Sequence, residues 1–253
     1  MAVELSVGHE VLLGLAGLGA GIVNGVAGGG SLVSFPALLA LGLPALNANV
    51  TSTVGIWPGY LGGAAGFARE LSGQRRRFFG LLPALVLGSI GGGVLLLSTP
   101  STDFAHAAPY LVLFACALFA LQPRLARSLA ATGATRSRRV VLQVATALSA
   151  VYGAYFGAGL GVILLGVLAS CIPDRLVRIN GLRAVLSLSI NTVAALIFVL
   201  DAPVSWVDAG ILALGALCGG YGGARLARRL PTIWLRVVVI ALGLATAAKL
   251  LAG

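Results

Sequence analysis

Apolar residues fill this chain in long runs, interrupted by short charged clusters. Read as helices, the runs fall at about 8–27, 31–43, 49–68, 78–98 and 104–121, then at about 140–157, 159–171, 180–200, 207–227 and 232–251. A polar stretch, QPRLARSLAATGATRSRR, lies between the two sets at 122–139. The pattern divides the chain into a first repeat at 1–121, a linker at 122–139 and a second repeat at 140–253. Most runs approach the roughly 20 residues a helix needs to cross a bilayer. The second run of each half holds only about 13 residues, a rise of about 20 Å against a hydrocarbon core of roughly 30 Å.

The halves also match residue by residue. Gly25 and Gly29 are followed 128 positions later by Gly153 and Gly157, and Asn49 and Phe67 are followed 131 positions later by Asn180 and Phe198. Gly88 precedes Gly215 by 127, and each opens a glycine-rich stretch, GSIGGG and GALCGGYGG. With 36 glycines present no single match decides anything, but the shared order and near-constant offset predict an internal duplication.

Composition fixes the solvent. Of 253 residues 58% are apolar and 9% charged, with a mean hydropathy of +1.02. A soluble domain carries about 25% charged residues, so this chain cannot clothe a globule in polar groups. An all-α polytopic membrane protein is expected; a soluble enzyme, a nucleic-acid-binding domain and a disordered chain are poor readings. The net charge of +10, from sixteen arginines and Lys249, sits in clusters between apolar runs, as in cytoplasmic loops beside anionic lipid. No nucleic-acid partner is expected; membrane lipid is. The opening MAVELSVGHE has acids and no basic leader, so its first run reads as retained rather than cleaved.

Charge also orients the segments. Arg69, Arg75, Arg76 and Arg77 place the loop after the third run inside, Arg124, Arg127, Arg136, Arg138 and Arg139 do so for the linker, and Arg225, Arg228 and Arg229 for the loop after the ninth. The loops with Asp103, and with Asp201 and Asp208, lack basic residues and read as external, as does an N-terminus holding Glu4 and Glu10. LGLPALNAN is then external and its counterpart IPDRLVRIN, with Arg175 and Arg178, internal. Each run and its partner are thus opposed: two inverted repeats of about five segments, with eight full spans and two short ones. A parallel four-plus-four repeat would put the acidic N-terminus inside.

The short runs direct attention to chemistry. Each follows a glycine-rich break, GVAGGGS at 25–31 and GAYFGAGLG at 153–161. Broken backbone at membrane depth is tolerated where protein buries it or a cavity adjoins it, and paired breaks mark transporter substrate sites. A helix starting at Ser31 would offer free N–H groups, a hydroxyl and the positive dipole end to an anion, with a second start from the other repeat facing it. Candidate substrate residues at the breaks are Asn24, Gly28, Gly29, Gly30, Ser31, Gly157 and Gly159; the alternative for the glycines is close helix packing. Asn49, Thr51 and Thr53 open the third run and Asn180 opens its partner, with Ser187, Ser189 and Asn191 beyond it. Their amides and hydroxyls either bind substrate oxygens or hold helices together. Tyr155, beside Tyr152 at the second break, either flanks the pathway or packs in the core. Arg183 lies about one turn into the eighth run, where it either binds an anion through its fork of donors or snorkels to the cytoplasmic surface.

Other chemistry finds no footing. All seven acids lie in loops or at segment ends, so no mid-membrane carboxylate suggests a proton or sodium relay. His106 reads as interfacial. Cys116, Cys171 and Cys218 stand singly in apolar runs, without metal-ligand spacing or a disulfide framework. Neither a metal nor a cofactor is expected. There is no HExxH, no GxSxG in a helix context and no GxxxxGK[ST], so the chain does not read as an enzyme.

At its breaks the chain resembles the TauE/SafE family of sulfite and organosulfonate exporters. The resemblance is carried by GLGAGIVNGVAGGGSLVSFPALLALGLP at 17–44 and NANVTSTVGIWPGYLGGAAGF at 47–67, echoed by GAYFGAGLGV at 153–162 and RINGLRAVLSLSIN at 178–191, and it covers essentially the whole chain. It implies a permease for a small inorganic or organic sulfur anion in the bacterial inner membrane, exporting by alternating access. Where the family often begins its third helix with an A-x-G-T pattern, this chain has NANVTST, and NGLRAV in the second half. An anion channel using the same site and a non-transporting membrane assembly protein are the alternatives; a homo-oligomer is left open.

Overall fold

The computed structural model describes residues 7–131, 139–226 and 233–252, all helix, turn or loop. The ten helices are α1 (Val7–Val26), α2 (Ser31–Ala40), α3 (Ala45–Gly66), α4 (Arg75–Ser98), α5 (Ser101–Ala131), α6 (Arg139–Tyr155), α7 (Leu160–Cys171), α8 (Leu176–Asp201), α9 (Trp206–Leu226) and α10 (Ile233–Ala252). Five stretches are long and apolar enough to cross a membrane: Val7–Val26, Arg75–Ser98, Ser101–Gln122, Leu176–Asp201 and Leu235–Ala252. The short runs are short helices, α2 with 10 residues and α7 with 12.

Among the boundaries that depart from the apolar-run reading, two do so because a run ends at its first charge, whereas a helix does not. Helix α5 continues to Ala131, through the first part of the segment read as linker. Helix α8 begins at Leu176 and takes in Arg178, which puts Arg183 two turns inside it rather than one. Glu4, Arg136, Arg138, Arg228 and Arg229, which entered the orientation argument, lie outside the described residues.

Helix packing follows the glycines. The α1–α9 seam mates Gly17 and Gly21 with the backbone of Leu212, Ala216 and Gly219, while Gly215 and Gly219 meet Gly14 and Leu18 in return. Helix α4 sets Gly88 and Gly92 against Ala147 and Val151 of α6. Where lipid removes the hydrophobic drive between helices, such small-residue seams gain stability from close backbone approach. Other packed pairs are α3 with α9, α4 with α8, α1 with α3, α6 with α8, α5 with α10 and α3 with α8. Exchanging each helix for its partner five places along converts α1–α9 into α6–α4, α3–α9 into α8–α4, and α1–α3 into α6–α8. Helix α2 packs on α1, α3 and α10, and α7 on their partners α6, α8 and α5.

Candidate functional site

The two breaks meet in the interior. Gly28, Gly157 and Gly159 have φ of +76°, +78° and +79°, a region that side chains with a Cβ rarely enter. The N–H of Gly161 donates to the carbonyl of Gly28 at 2.8 Å, joining the start of α7 to the end of the first break. A Cβ on Gly28 would lie 2.6 Å from the Cα of Gly161 and 3.0 Å from Nη1 of Arg183. The Arg183 guanidinium therefore sits where the breaks cross, in space that glycine leaves open.

The open helix start expected at α7 is closed by the backbone. In the first turn of α7 the N–H groups of Leu160, Gly161, Val162 and Ile163 all have carbonyl partners, on Gly157, Gly28 and, twice, Gly159. At α2 the N-cap is Gly30, with no side-chain cap, so Ser31 does not cap the helix. The Gly30 N–H donates to Oδ1 of Asn24 at 2.7 Å. These bonds hold the breaks in shape, and side chains supply further donors nearby.

Those side chains gather around Arg183. It is 1% exposed, which excludes snorkelling, and its Nε and Nη1 have no hydrogen-bond partner among the described residues. The Tyr60 hydroxyl on α3 lies close to Arg183, to Asn24 on α1 and to Asn191 on α8. The Tyr60 hydroxyl, Nδ2 of Asn24 and Oγ of Ser187 are also buried without a well-formed hydrogen bond among the described residues, the Tyr60 hydroxyl facing the Asn24 and Asn191 amides. Ser187 stands one turn beyond Arg183 on the same face. Elsewhere on α8, Ser189 and Thr192 turn their hydroxyls back to carbonyls four residues earlier, at 2.9 and 2.8 Å; Ser187 does not. Asp174 is engaged by Arg77 and Arg178, and among the described residues no carboxylate forms a salt bridge with Arg183. An isolated buried cation costs several kcal/mol. A bound anion accepting from this guanidinium and its neighbouring donors would remove that cost.

Among the residues singled out from sequence, Asn24, Gly28 and Arg183 come together here. Gly29 lies against the Phe119 ring, Gly30 against Asn24, and Gly157 beside Ser31, whose Oγ is 3.7 Å from where a Gly157 Cβ would stand. Gly159 faces Ala115 and Leu118. The remaining residues have structural partners or stand apart. Asn49 donates to the Tyr155 carbonyl at 2.9 Å, capping the end of α6. Thr53 turns back to the Asn49 carbonyl at 3.0 Å, and Thr51 accepts from the Ser205 N–H at 3.0 Å. The Tyr155 hydroxyl reaches Thr99 at 3.5 Å, and Asn180 is half-buried one turn before Arg183. Tyr60 was missed, although the offset of 131 that pairs Asn49 with Asn180 also pairs Tyr60 with Asn191. An apolar groove of about 1050 Å³, between α1, α2, α5 and α10, includes none of the Arg183 cluster.

Charge concentrates at another place, between the α3–α4 and α7–α8 loops. Asp174 accepts from Arg77 and, at 3.2 Å, from Nε of Arg178. Gln74 donates to the carbonyls of Glu70 and Arg178 at 2.9 and 2.7 Å, and Arg178 donates to that of Ser72 at 3.2 Å. The Arg77 guanidinium, ahead of the Arg175 N–H and Arg178, holds the Asp174 carboxyl below its ordinary range.

The sequence model of the family described as sulfite exporter TauE/SafE matches residues 13–250. A probable membrane transporter protein of Haemophilus influenzae is 24% identical over 98% of this chain and 96% of its own length. The probable membrane transporter protein YfcA of Escherichia coli K12 is 24% identical over 92% of this chain and 86% of its own. No solved structure matches.

Proposed function

We propose that this chain, which belongs to the sulfite exporter TauE/SafE family, is a secondary-type permease for small sulfur-containing anions, moving them outward by alternating access. That it is a membrane transporter follows from the family and from relatives matched over nearly their whole length. The observation that carries the anion is Arg183, a buried cation with no acidic partner, among the unpartnered donors of Tyr60, Asn24 and Ser187. A permease site must replace the hydration shell of its substrate, and these donors are placed to do so.

The wider architecture of this proposal is two inverted repeats, eight spans and two short helices, in the bacterial inner membrane with basic loops inside. Its support is the recurrence of helix pairs on exchanging the halves, and the pairing of loops. The α3–α4 loop, given an inside position by its arginines, bonds to the α7–α8 loop, also given an inside position. The connection before α9, given an outside position, bonds to Thr51 at the outer start of α3. Outward direction rests on the family description alone.

Counterflow in proteoliposomes of the purified protein tests this reading. Saturable exchange of labelled sulfite or methanesulfonate, abolished by Arg183→Gln in folded protein, is the expected result. Conductance far above carrier turnover without counterflow would replace the carrier by a channel. Silence with every anion in folded protein would remove the substrate claim.

A further inference from the structure

We infer that the Arg183 site selects for a single negative charge: it takes a monoanionic oxyanion, such as a sulfonate or hydrogensulfite, and discriminates against the dianions sulfite and sulfate. This inference rests on the proposed function and specifies the charge form of its substrate.

The charge inventory carries the argument. The site holds one guanidinium, and its other groups are neutral: the Tyr60 hydroxyl, the Asn24 and Asn191 amides and the Ser187 hydroxyl. One negative charge beside Arg183 makes the ensemble neutral. A second leaves a net negative charge buried, and the desolvation cost of an ion rises with the square of its charge. The unpartnered donor atoms number five, namely Nε and Nη1 of Arg183, Nδ2 of Asn24, the Tyr60 hydroxyl and Oγ of Ser187. Guanidinium and neutral donors together can serve the three oxygens of a sulfonate head.

Ionisable groups nearby do not alter this count. The helices packed on α8 are α3, α4, α6 and α7, and Glu70 of the α3–α4 loop lies against Gly181, two residues before Arg183, without a salt bridge to it. They carry Tyr60 on α3, Arg75, Arg76 and Arg77 on α4, Arg139, Tyr152 and Tyr155 on α6, and Cys171 on α7. Of these, Tyr60 is the one beside Arg183, and it is neutral. Along α8 itself, Arg178 is turned to Asp174 and Ser72, while Asp201 ends the helix.

The test is calorimetric titration of the purified full-length protein with methanesulfonate, sulfate and sulfite, from mildly acidic to mildly basic buffer. Methanesulfonate stays singly charged throughout, so it reports any titration of the protein. Sulfite passes from hydrogensulfite to the dianion within that range. The expected result is methanesulfonate affinity that varies little, sulfite affinity that falls by up to about tenfold per pH unit once the dianion dominates, and sulfate at least about tenfold weaker than methanesulfonate. Sulfate binding as tightly as methanesulfonate, or sulfite tightening as pH rises, would overturn the single-charge rule while leaving the anion site intact. If no anion binds to folded wild type, or if all bind Arg183→Gln equally well, the proposed site itself fails and this inference with it.

Discussion

Positions 52 and 183 are separated by 131 residues, the offset that relates Asn49 to Asn180, and each is 1% exposed, yet their chemistry is opposite. Ser52 on α3 is satisfied at once: its hydroxyl lies 2.6 Å from that of Ser34 on α2. Arg183 on α8 carries a full charge and keeps two nitrogens without partners. The same helix position thus closes one half of the molecule upon itself and leaves the other with unmet donors. A packing pattern that recurs between halves does not require equal chemistry in both, and an unpaired buried cation in only one half is hard to explain by stability. It destabilises the fold unless an anion offsets it.

The largest expected effect breaks the comparison at its charged side. Arg183→Gln should weaken methanesulfonate binding about a hundredfold, from the loss of roughly 2–3 kcal/mol in charge-assisted hydrogen bonds, as read by calorimetry. Tyr60→Phe removes one neutral donor from the same site and should cost about tenfold in affinity with little change in unfolding temperature. At the satisfied side, Ser52→Ala leaves the Ser34 hydroxyl with only its longer bond to the Gly30 carbonyl, at 3.3 Å, and should lower stability by about 1 kcal/mol, with anion affinity unchanged. An equal loss of affinity in Ser52→Ala and Arg183→Gln would erase the distinction between the halves.

The smallest effect concerns the loops that join the halves. The folded pKa of Asp174 is lowered, chiefly by Arg77. Its contribution is therefore complete above the unfolded carboxylate value of about 4 and is lost as pH falls through the folded one. Because both arginines are more than a third exposed, Asp174→Asn should cost less than about 1 kcal/mol at neutral pH. In an acid titration of the unfolding temperature, that difference from wild type should close. Anion affinity should not follow it.

Much of this was legible in the sequence, and the misses have physical causes. The ten apolar runs correspond to ten helices, because lipid-compatible composition leaves little else for a chain so poor in charge. The short helices and the glycines at positive φ were marked by GVAGGGS and GAYFGAGLG, since few sequences tolerate that backbone. The fate of Arg183 was not legible, because it turned on where α8 begins. A helix starting beyond Pro173, with Arg175 as its N-cap, carries Arg183 two turns in, too deep to escape to the surface. Which of the two roles read for Asn49 and Thr51 applies was not legible, because their partners, Tyr155 and Ser205, are 106 and 154 residues away and answer backbone needs that no local pattern displays. Tyr60 lies inside a glycine-rich stretch, and its match to Asn191 emerges only when the offset of 131 is carried through the whole helix.

The most direct measurement is the unfolding temperature of purified wild type and Arg183→Gln, each with and without methanesulfonate. If Arg183 is a buried cation that the anion satisfies, wild type rises with anion concentration as binding to the folded state requires. The variant, freed of an uncompensated charge, should then start at least as high as wild type and not respond. A variant that unfolds well below wild type and still gains stability from the anion would show that Arg183 serves the fold and that the anion binds elsewhere.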